Sequence, residues 1–233
     1  VTVAICVLTN GRIELLDMTI ESIRDKFRAV ELVKRRIIWD DSGSDEVYHY
    51  MRLAYAPDWT IVRSVQPEGF GGAMRSAWAW LNRSVNVDHI FWSEDDFVYE
   101  KVVPLDAMAS VLDQCPWIAQ MALRRQPWNE AEIAAGGVVE LDPDAFTEAS
   151  WKDHKWLEHR KFWTTNPSLF RVDLLAGGWA DDPESEGRYT HRLLGEGLPW
   201  GVPSDEVRFA YWGGFRSTPA VTHTGVERVG FGY

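Results

Sequence analysis

Two cysteines, Cys6 and Cys115, are all that 233 residues contain. They are too few and too far apart for a disulfide framework or a paired metal-ligand spacing, and their scarcity points to a reducing, cytoplasmic setting. Nowhere does an apolar run approach the roughly 20 residues that span a bilayer. The opening "VTVAICVLT" is short and lacks a basic flank, so it reads as a buried strand rather than a targeting segment. It starts without an initiator Met, which suggests a trimmed chain. Basic charge is also scarce, since 24 Lys and Arg face 35 Asp and Glu for a net charge of −11. That balance disfavours a broad electrostatic grip on nucleic-acid phosphates. There is no internal repeat, low-complexity tract or linker. With 45% hydrophobic and 25% charged residues the composition is that of a soluble globular protein, and one domain over residues 1–233 is the expectation.

What is present is a rhythm of strand and helix. "TVAICVLT" predicts a strand, and "IELLDMTIESIRDKF" a helix with Leu15, Met18, Ile23 and Phe27 near one face. "RRIIWDDSG" predicts a second strand ending in acids, "DEVYHYMRLA" a helix, and "WTIVRSV" a third strand. A glycine turn then feeds a helix in "PEGFGGAMRSAWAWLNRSV", followed by the strand "HIFWSEDDF". This β-α-β repetition predicts a doubly wound, mostly parallel sheet. The second half is less regular. "PLDAMASVLDQC" predicts a helix and "WIAQMALRR" a strand. A polar, Trp-containing passage then runs from Gln126 to Lys161, and "FWTTNPSLFR" reads as a strand entering a turn. "SEGRYTHRLLGEG" predicts a helix closed by Gly195 or Gly197, and two short strands lie in the Gly-rich end.

Parallel sheets of this kind bind ligands beyond the C-terminal ends of their strands, and the polar clusters fall there. "TNGR" follows the first strand, "DDSGSD" the second and "SEDDF" the strand after the glycine turn. Three successive acids, Glu94, Asp95 and Asp96, repel one another unless something holds them together. A solvated turn is one reading. The other is a Mg²⁺ or Mn²⁺ site, because these hard cations take one or two carboxylates together with phosphate oxygens and water. In "DDSGSD", Asp41, Ser42 or Ser44 can cap the next helix, or a carboxylate can accept from a base or a ribose. "GFGGAMRSAW" is neither GxGxxG nor a Walker sequence. Its glycines, Gly72 among them, permit close backbone approach, and Arg75 on the first helical turn can reach a diphosphate.

Taken in order, "LTNGR", "WDDSGSD", "GFGGAMRSAW", "FWSEDDF", "TNPSLFR", "SEGRYTHRL" and "VTHTG" resemble the GT-A fold glycosyltransferases, especially the family 2 group. The resemblance runs from Val1 to about Gly225. It implies an α/β fold: a single GT-A type, Rossmann-like domain with a mostly parallel central sheet and a smaller acceptor-side region. Residues 1–100 would form the nucleotide-sugar half and 101–233 the acceptor half. By the same resemblance Thr9, Asn10, Arg12, Asp40, Asp41, Gly72, Arg75, Glu94 and Asp95 would line the nucleotide. "SEDDF" is similar to the DxD motif, whose last acid, here Asp96, would bind Mn²⁺ or Mg²⁺ with His223 completing the metal site. Asn166 would contact a sugar. Counting back six residues from Arg192 places the general base at Glu186, where Glu replaces the commoner Asp; Ser185 takes the preceding acidic position, and Glu184 is the rival. The first turn carries an extra Gly beside Arg12. His49, His89, His154, His159 and His191 have no comparable setting.

These implications amount to a metal-dependent enzyme that uses a UDP-sugar and inverts the anomeric centre. Most of the 13 Trp are expected in packing, while Trp163 and Trp200 flank the acceptor segments and can stack on an acceptor. Protein, small-molecule, lipid and modified nucleic-acid acceptors all remain open. One rival reading is a sugar-phosphate nucleotidylyltransferase, although "LTNGRIELLDM" lacks the lysines such an enzyme wants. The other is a non-catalytic sugar-binding protein of the same fold.

Overall fold

Residues 1–180 and 184–225 are described in the computed structural model of the chain. Its first hundred residues alternate as expected. They form β1 (Val3–Thr9), α1 (Ile13–Lys26), the two-residue β2 (Phe27–Arg28), β3 (Val33–Asp40), α2 (Asp45–Tyr55), β4 (Thr60–Arg63), α3 (Gly69–Ser84), β5 (His89–Glu94), β6 (Phe97–Tyr99) and β7 (Val103–Pro104). Then come α4 (Leu105–Gln114), β8 (Ile118–Ala122), α5 (Glu130–Ala135), α6 (Val138–Leu141), β9 (Thr147–Trp151), β10 (His154–His159), β11 (Ser168–Arg171), α7 (Ser185–Glu196), β12 (Arg208–Trp212) and β13 (Val221–His223).

Nine strands make one sheet in the order β4, β3, β1, β5, β11, β8, β12, β10, β9. All but β11 and β10 run in the same direction. Every residue of β1 is buried, because parallel strands are covered on both faces. One face packs against α1 and α4 through Leu16, Ile20, Met108 and Leu112. The other packs against α3 and α7 through Ala73, Trp78, Tyr189 and Leu193.

The buried face of α1 differs from the expected one. It comprises Leu16, Thr19, Ile20 and Ile23 and continues into Phe27, while Met18 is exposed. The spacing of Leu16, Ile20, Ile23 and Phe27 follows the helical stripe more closely than one through Leu15 and Met18. The passage left without elements from Gln126 onward holds α5, α6 and the β9–β10 hairpin. In "FWTTNPSLFR" the order is reversed, with the loop leading into β11.

Register defines the working rim. Thr9 pairs with Asp40 and Leu8 with Glu94, so β1, β3 and β5 end side by side. The antiparallel β11 starts at this rim, with Ser168 opposite Trp92 and Ala122. At the other rim Arg171 pairs with His89 and Arg208 with Ile118.

Candidate active site

The acidic turn after β5 is held by side chains that are distant in sequence. Thr9 Oγ1 donates to Asp95 Oδ2 at 2.6 Å, and Arg12 binds both Asp95 oxygens. Thr19 Oγ1 donates to the carbonyls of Asp95 and Phe97 at 2.7 and 2.9 Å. Arg12 Nη1 also reaches Asp96 Oδ2 at 2.9 Å, and His223 Nε2 lies 3.2 Å from the same oxygen. Repulsion among the acids is therefore relieved by the chain's own Arg12 and His223. Asp95 is fully buried with both oxygens engaged, so it shapes the turn instead of facing a nucleotide. Burial pushes its carboxyl up to about 6, against the pull of Arg12 and Thr9. Burial also opposes charge on Asp96, but His223 and Arg12 outweigh it and hold the carboxyl below its ordinary value.

Glu94 turns toward the second half of the chain. Burial and the charges of Asp96 and Glu186 push its carboxyl well up, with Thr165 opposing. Glu186 stands in the first turn of α7, and its Oε1 accepts from Thr165 N at 2.6 Å. The loop carrying Thr165 and Asn166 is pinned through Gln120, which bonds both backbone groups of Thr164 at 2.6 and 3.1 Å. That places Asn166 on the working rim. Glu184 is exposed at φ 61° and caps nothing with its side chain, so of the two rivals only Glu186 is shown beside the acids.

On the other side of the rim, the two acids of "DDSGSD" part company. Asp41 accepts from Glu68 N at 3.0 Å and Gly69 N at 3.1 Å. It thus ties down the N-terminus of α3, where a negative charge is favoured. Gly69 has φ +69°, a value that excludes most side chains. The glycines of the expected turn lie inside the first turn of α3, and a Cβ on Gly72 would sit 2.7 Å from Glu68 Cβ and 3.7 Å from Arg75 Nη2. Asp40 is buried, with Oδ1 accepting from Ser42 N at 2.9 Å and Oδ2 without a hydrogen-bond partner. Burial pushes this carboxyl up, with Ser42 opposing. Asn10 lies on the turn after β1, next to Gly11, whose N–H donates to Thr9 Oγ1 at 2.9 Å.

Two expected acceptor residues are elsewhere. Trp163 is 3% exposed and packs edge-on against Trp78, Phe170 and Tyr189, so it is core, as a large apolar ring near a sheet usually is. Trp200 donates to the carbonyl of Pro116 at 2.8 Å and lies under Arg171, which puts it on the opposite rim.

Sequence reasoning missed the support of His223. Gln126 pairs with its backbone in both directions at 2.8 Å, and the rings of Phe97 and Trp128 lie 4.8 and 4.2 Å from its imidazole. The signal was Asn129 followed three residues later by Glu132, a helix-capping pattern, and Asn129 Oδ1 does accept from Glu132 N at 2.9 Å. The Gly-rich end beyond Gly225 lies outside the described residues.

A divalent ion fits this corner. Asp96 Oδ1 is buried without a hydrogen-bond partner, and carboxylate oxygen with imidazole suits Mn²⁺. Among the described residues no three His, Cys, Asp or Glu side chains gather to hold an ion by themselves. Diphosphate oxygens and water would complete the set.

No family model and no curated protein matches the chain. Its fold, however, is that of GT-A type glycosyltransferases. The mannosyltransferase PcManGT from Pyrobaculum calidifontis, solved with GDP-Man and Mn²⁺, aligns at TM-score 0.57 and 15% identity over 89% of this chain and 56% of that one. S. aureus TarS 1-349 in complex with UDP-GlcNAc aligns at 0.58 and 15%, over 98% and 62%. GalNAc-T7 with UDP, GalNAc and Mn²⁺ aligns at 0.63 and 8%, over 95% and 43%. The chain thus spans between 43% and 62% of the length of these structures. Among the described residues no helix is long and apolar enough to cross a membrane.

Proposed function

We propose that the chain transfers a sugar from a nucleotide-sugar donor, UDP-linked, to an acceptor hydroxyl, with a divalent metal and with inversion at the anomeric carbon. One observation carries this reading: Glu94 and Asp96 of the acidic turn meet Glu186 and His223, each from a distant stretch of sequence, on the ligand-binding rim of a GT-A type sheet. Asp96 and His223 would hold Mn²⁺ or Mg²⁺, which when bound neutralises the departing diphosphate. The buried acceptor oxygen of Asp40 suits the nucleoside, with Asn10 beside it. Gly72 and Arg75 lie where α3 can approach the diphosphate. Asp41, Asp95 and Arg12 keep that wall in shape. In this division residues 1–100 serve the donor and 101–233 the acceptor, with His223 reaching back.

Glu186 takes the acceptor proton as the hydroxyl attacks. Glu94 stands beside it, its carboxyl pushed up by burial and by the neighbouring charges of Asp96 and Glu186. A base on the acceptor side implies attack opposite the leaving group, and hence a single inverting displacement. Asn166, on the pinned loop, would orient the sugar.

Calorimetric titration of UDP and GDP, with and without Mn²⁺, tests the donor and metal; UDP binding that depends on Mn²⁺ is expected. Glu186→Gln should slow transfer by about 10² to 10⁴ while UDP affinity is retained, and proton NMR of the product should show inverted configuration. Pyrophosphate release from a nucleoside triphosphate and a sugar phosphate would favour nucleotidylyl transfer. Binding without any hydrolysis or transfer would favour a sugar-binding protein.

A further inference from the structure

We infer that Trp128 is a stacking platform for a pyranose ring of the acceptor. This rests on the glycosyltransferase reading above and adds the chemistry of the acceptor to it.

Trp128 is 42% exposed, whereas Trp78, Trp92 and Trp156 are among the largest fully buried side chains. An exposed indole gains nothing for the core and is usually loose. This one is fastened. Its backbone N–H donates to Glu132 Oε2 at 2.9 Å, and Glu132 is gripped by Arg125 at 2.7 and 3.1 Å and by Asn129 at 3.1 Å. The indole meets the His223 imidazole at 65° with ring centroids 4.2 Å apart, and that imidazole lies 3.2 Å from Asp96. A rigid aromatic surface is thus open to solvent one side chain away from the acidic turn. Rigidity favours binding, because little freedom remains to be lost when a ligand stacks.

Topology says which substrate it would meet. Trp128 follows β8, which is separated from β5 by β11. It therefore stands on the side of the acidic turn away from β3 and α3, where Asp40 and Arg75 lie. That is the acceptor side. The surroundings then choose among ring-bearing acceptors. Asn129 and Glu130 are exposed next to the indole and Gln126 is half-buried, so a lone apolar face is bordered by hydrogen-bonding groups. A pyranose offers a C–H face for the ring and hydroxyls for the border. A purely apolar aglycone would cover the exposed Glu130 beside the indole without offering it a donor.

The test uses the full chain labelled with 5-fluorotryptophan, with the Trp128 fluorine resonance assigned by its loss in Trp128→Phe. Methyl pyranosides of glucose, galactose, mannose and N-acetylglucosamine are titrated with and without UDP and Mn²⁺, alongside glycerol and p-nitrophenol. At least one pyranoside should shift the Trp128 resonance saturably. Trp128→Leu should weaken that pyranoside about 5- to 10-fold, and Trp128→Phe less, since an aromatic contact is worth about 1 kcal/mol. No shift with any pyranoside overturns the inference, and so does a shift with p-nitrophenol alone. It is also overturned if Trp128→Leu weakens UDP with Mn²⁺ as much as it weakens the pyranoside, for Trp128 then only supports His223. Failure of the parent to bind UDP would count against the donor reading, while the titration without UDP still decides the role of Trp128.

Discussion

Asp96 differs from its two acidic neighbours in a single atom. Its Oδ1 is buried with no hydrogen-bond partner, while its Oδ2 is shared by Arg12 and His223. A buried carboxylate oxygen left unpaired is costly, and a bound cation would remove that cost. Asp96→Asn should therefore weaken Mn²⁺-dependent UDP binding by about 100-fold or more, as loss of a metal ligand exceeds the 10- to 100-fold typical of its supporting partners. Calorimetry with and without Mn²⁺ measures it, and unchanged metal dependence would remove Asp96 from the metal site. Gly225 offers a second handle, because a Cβ there would meet Asp96 Oδ2 well inside contact distance and Arg12 Nη1 at 3.2 Å. Gly225→Ala should displace the carboxylate or the segment carrying His223. The expected result is lower affinity for UDP with Mn²⁺ at an unchanged unfolding midpoint; equal affinity would show that the corner yields without consequence.

At the scale of elements, Asp41 shows how one side chain sets a helix. It collects the N–H groups of Glu68 and Gly69, so Asp41→Ala leaves buried donors unpaired and removes a favourable charge from the start of α3. A loss of about 2 to 3 kcal/mol is expected, with Asp41→Asn losing less because it keeps one acceptor. Urea unfolding of the two variants checks this, and equal small losses would mean that α3 is anchored elsewhere. The same residue marks how far sequence reasoning reached. The alternation of β1, β3 and β5 with helices was legible because their buried stretches, all of β1, the second half of β3 and most of β5, leave continuous apolar runs, and the acids at their ends were legible because register puts those ends on one rim. Which acid faces a ligand was not legible, since neighbouring carboxylates look alike until Thr9, Arg12 and the α3 amides have chosen among them. The β9–β10 hairpin escaped because "TEASW" forms a mostly exposed edge strand with little apolar alternation. Trp163 and Trp200 misled for the same reason, as an indole's type says nothing of the face it occupies.

For the whole molecule, pH should act through histidine as well as through the acidic rim. His159 is 4% exposed, stacked on Tyr211 at 22° and ringed by Phe146, Phe162 and Phe209, and its Nδ1 accepts from Lys161 N at 3.3 Å. Burial, with the charge of Lys161 adding to it, pushes this imidazole down to about 3. His89, buried at the opposite rim, is pushed down to about 4, again chiefly by burial. An unfolded histidine titrates near 6.5, so between that value and about 3 the unfolded chain binds a proton at His159 that the folded chain refuses. Stability must then rise with pH across this window and fall as the medium is acidified. Each such histidine contributes a slope approaching about 1.4 kcal/mol per pH unit below about pH 6. Asp95, pushed up to about 6 by burial, acts in the opposite sense, because the folded chain holds its proton more firmly than the unfolded one. The parent curve alone therefore cannot isolate His159. His159→Gln keeps a polar side chain of similar reach and does not titrate, so the carboxylates and His89 cancel when its curve is subtracted from that of the parent. Urea unfolding at half-unit steps from pH 7.5 to 4.5 should show the variant losing stability more slowly below about pH 6, by roughly that slope. Parallel curves would mean that His159 takes up its proton in the folded state and that the aromatic cage opens to admit it.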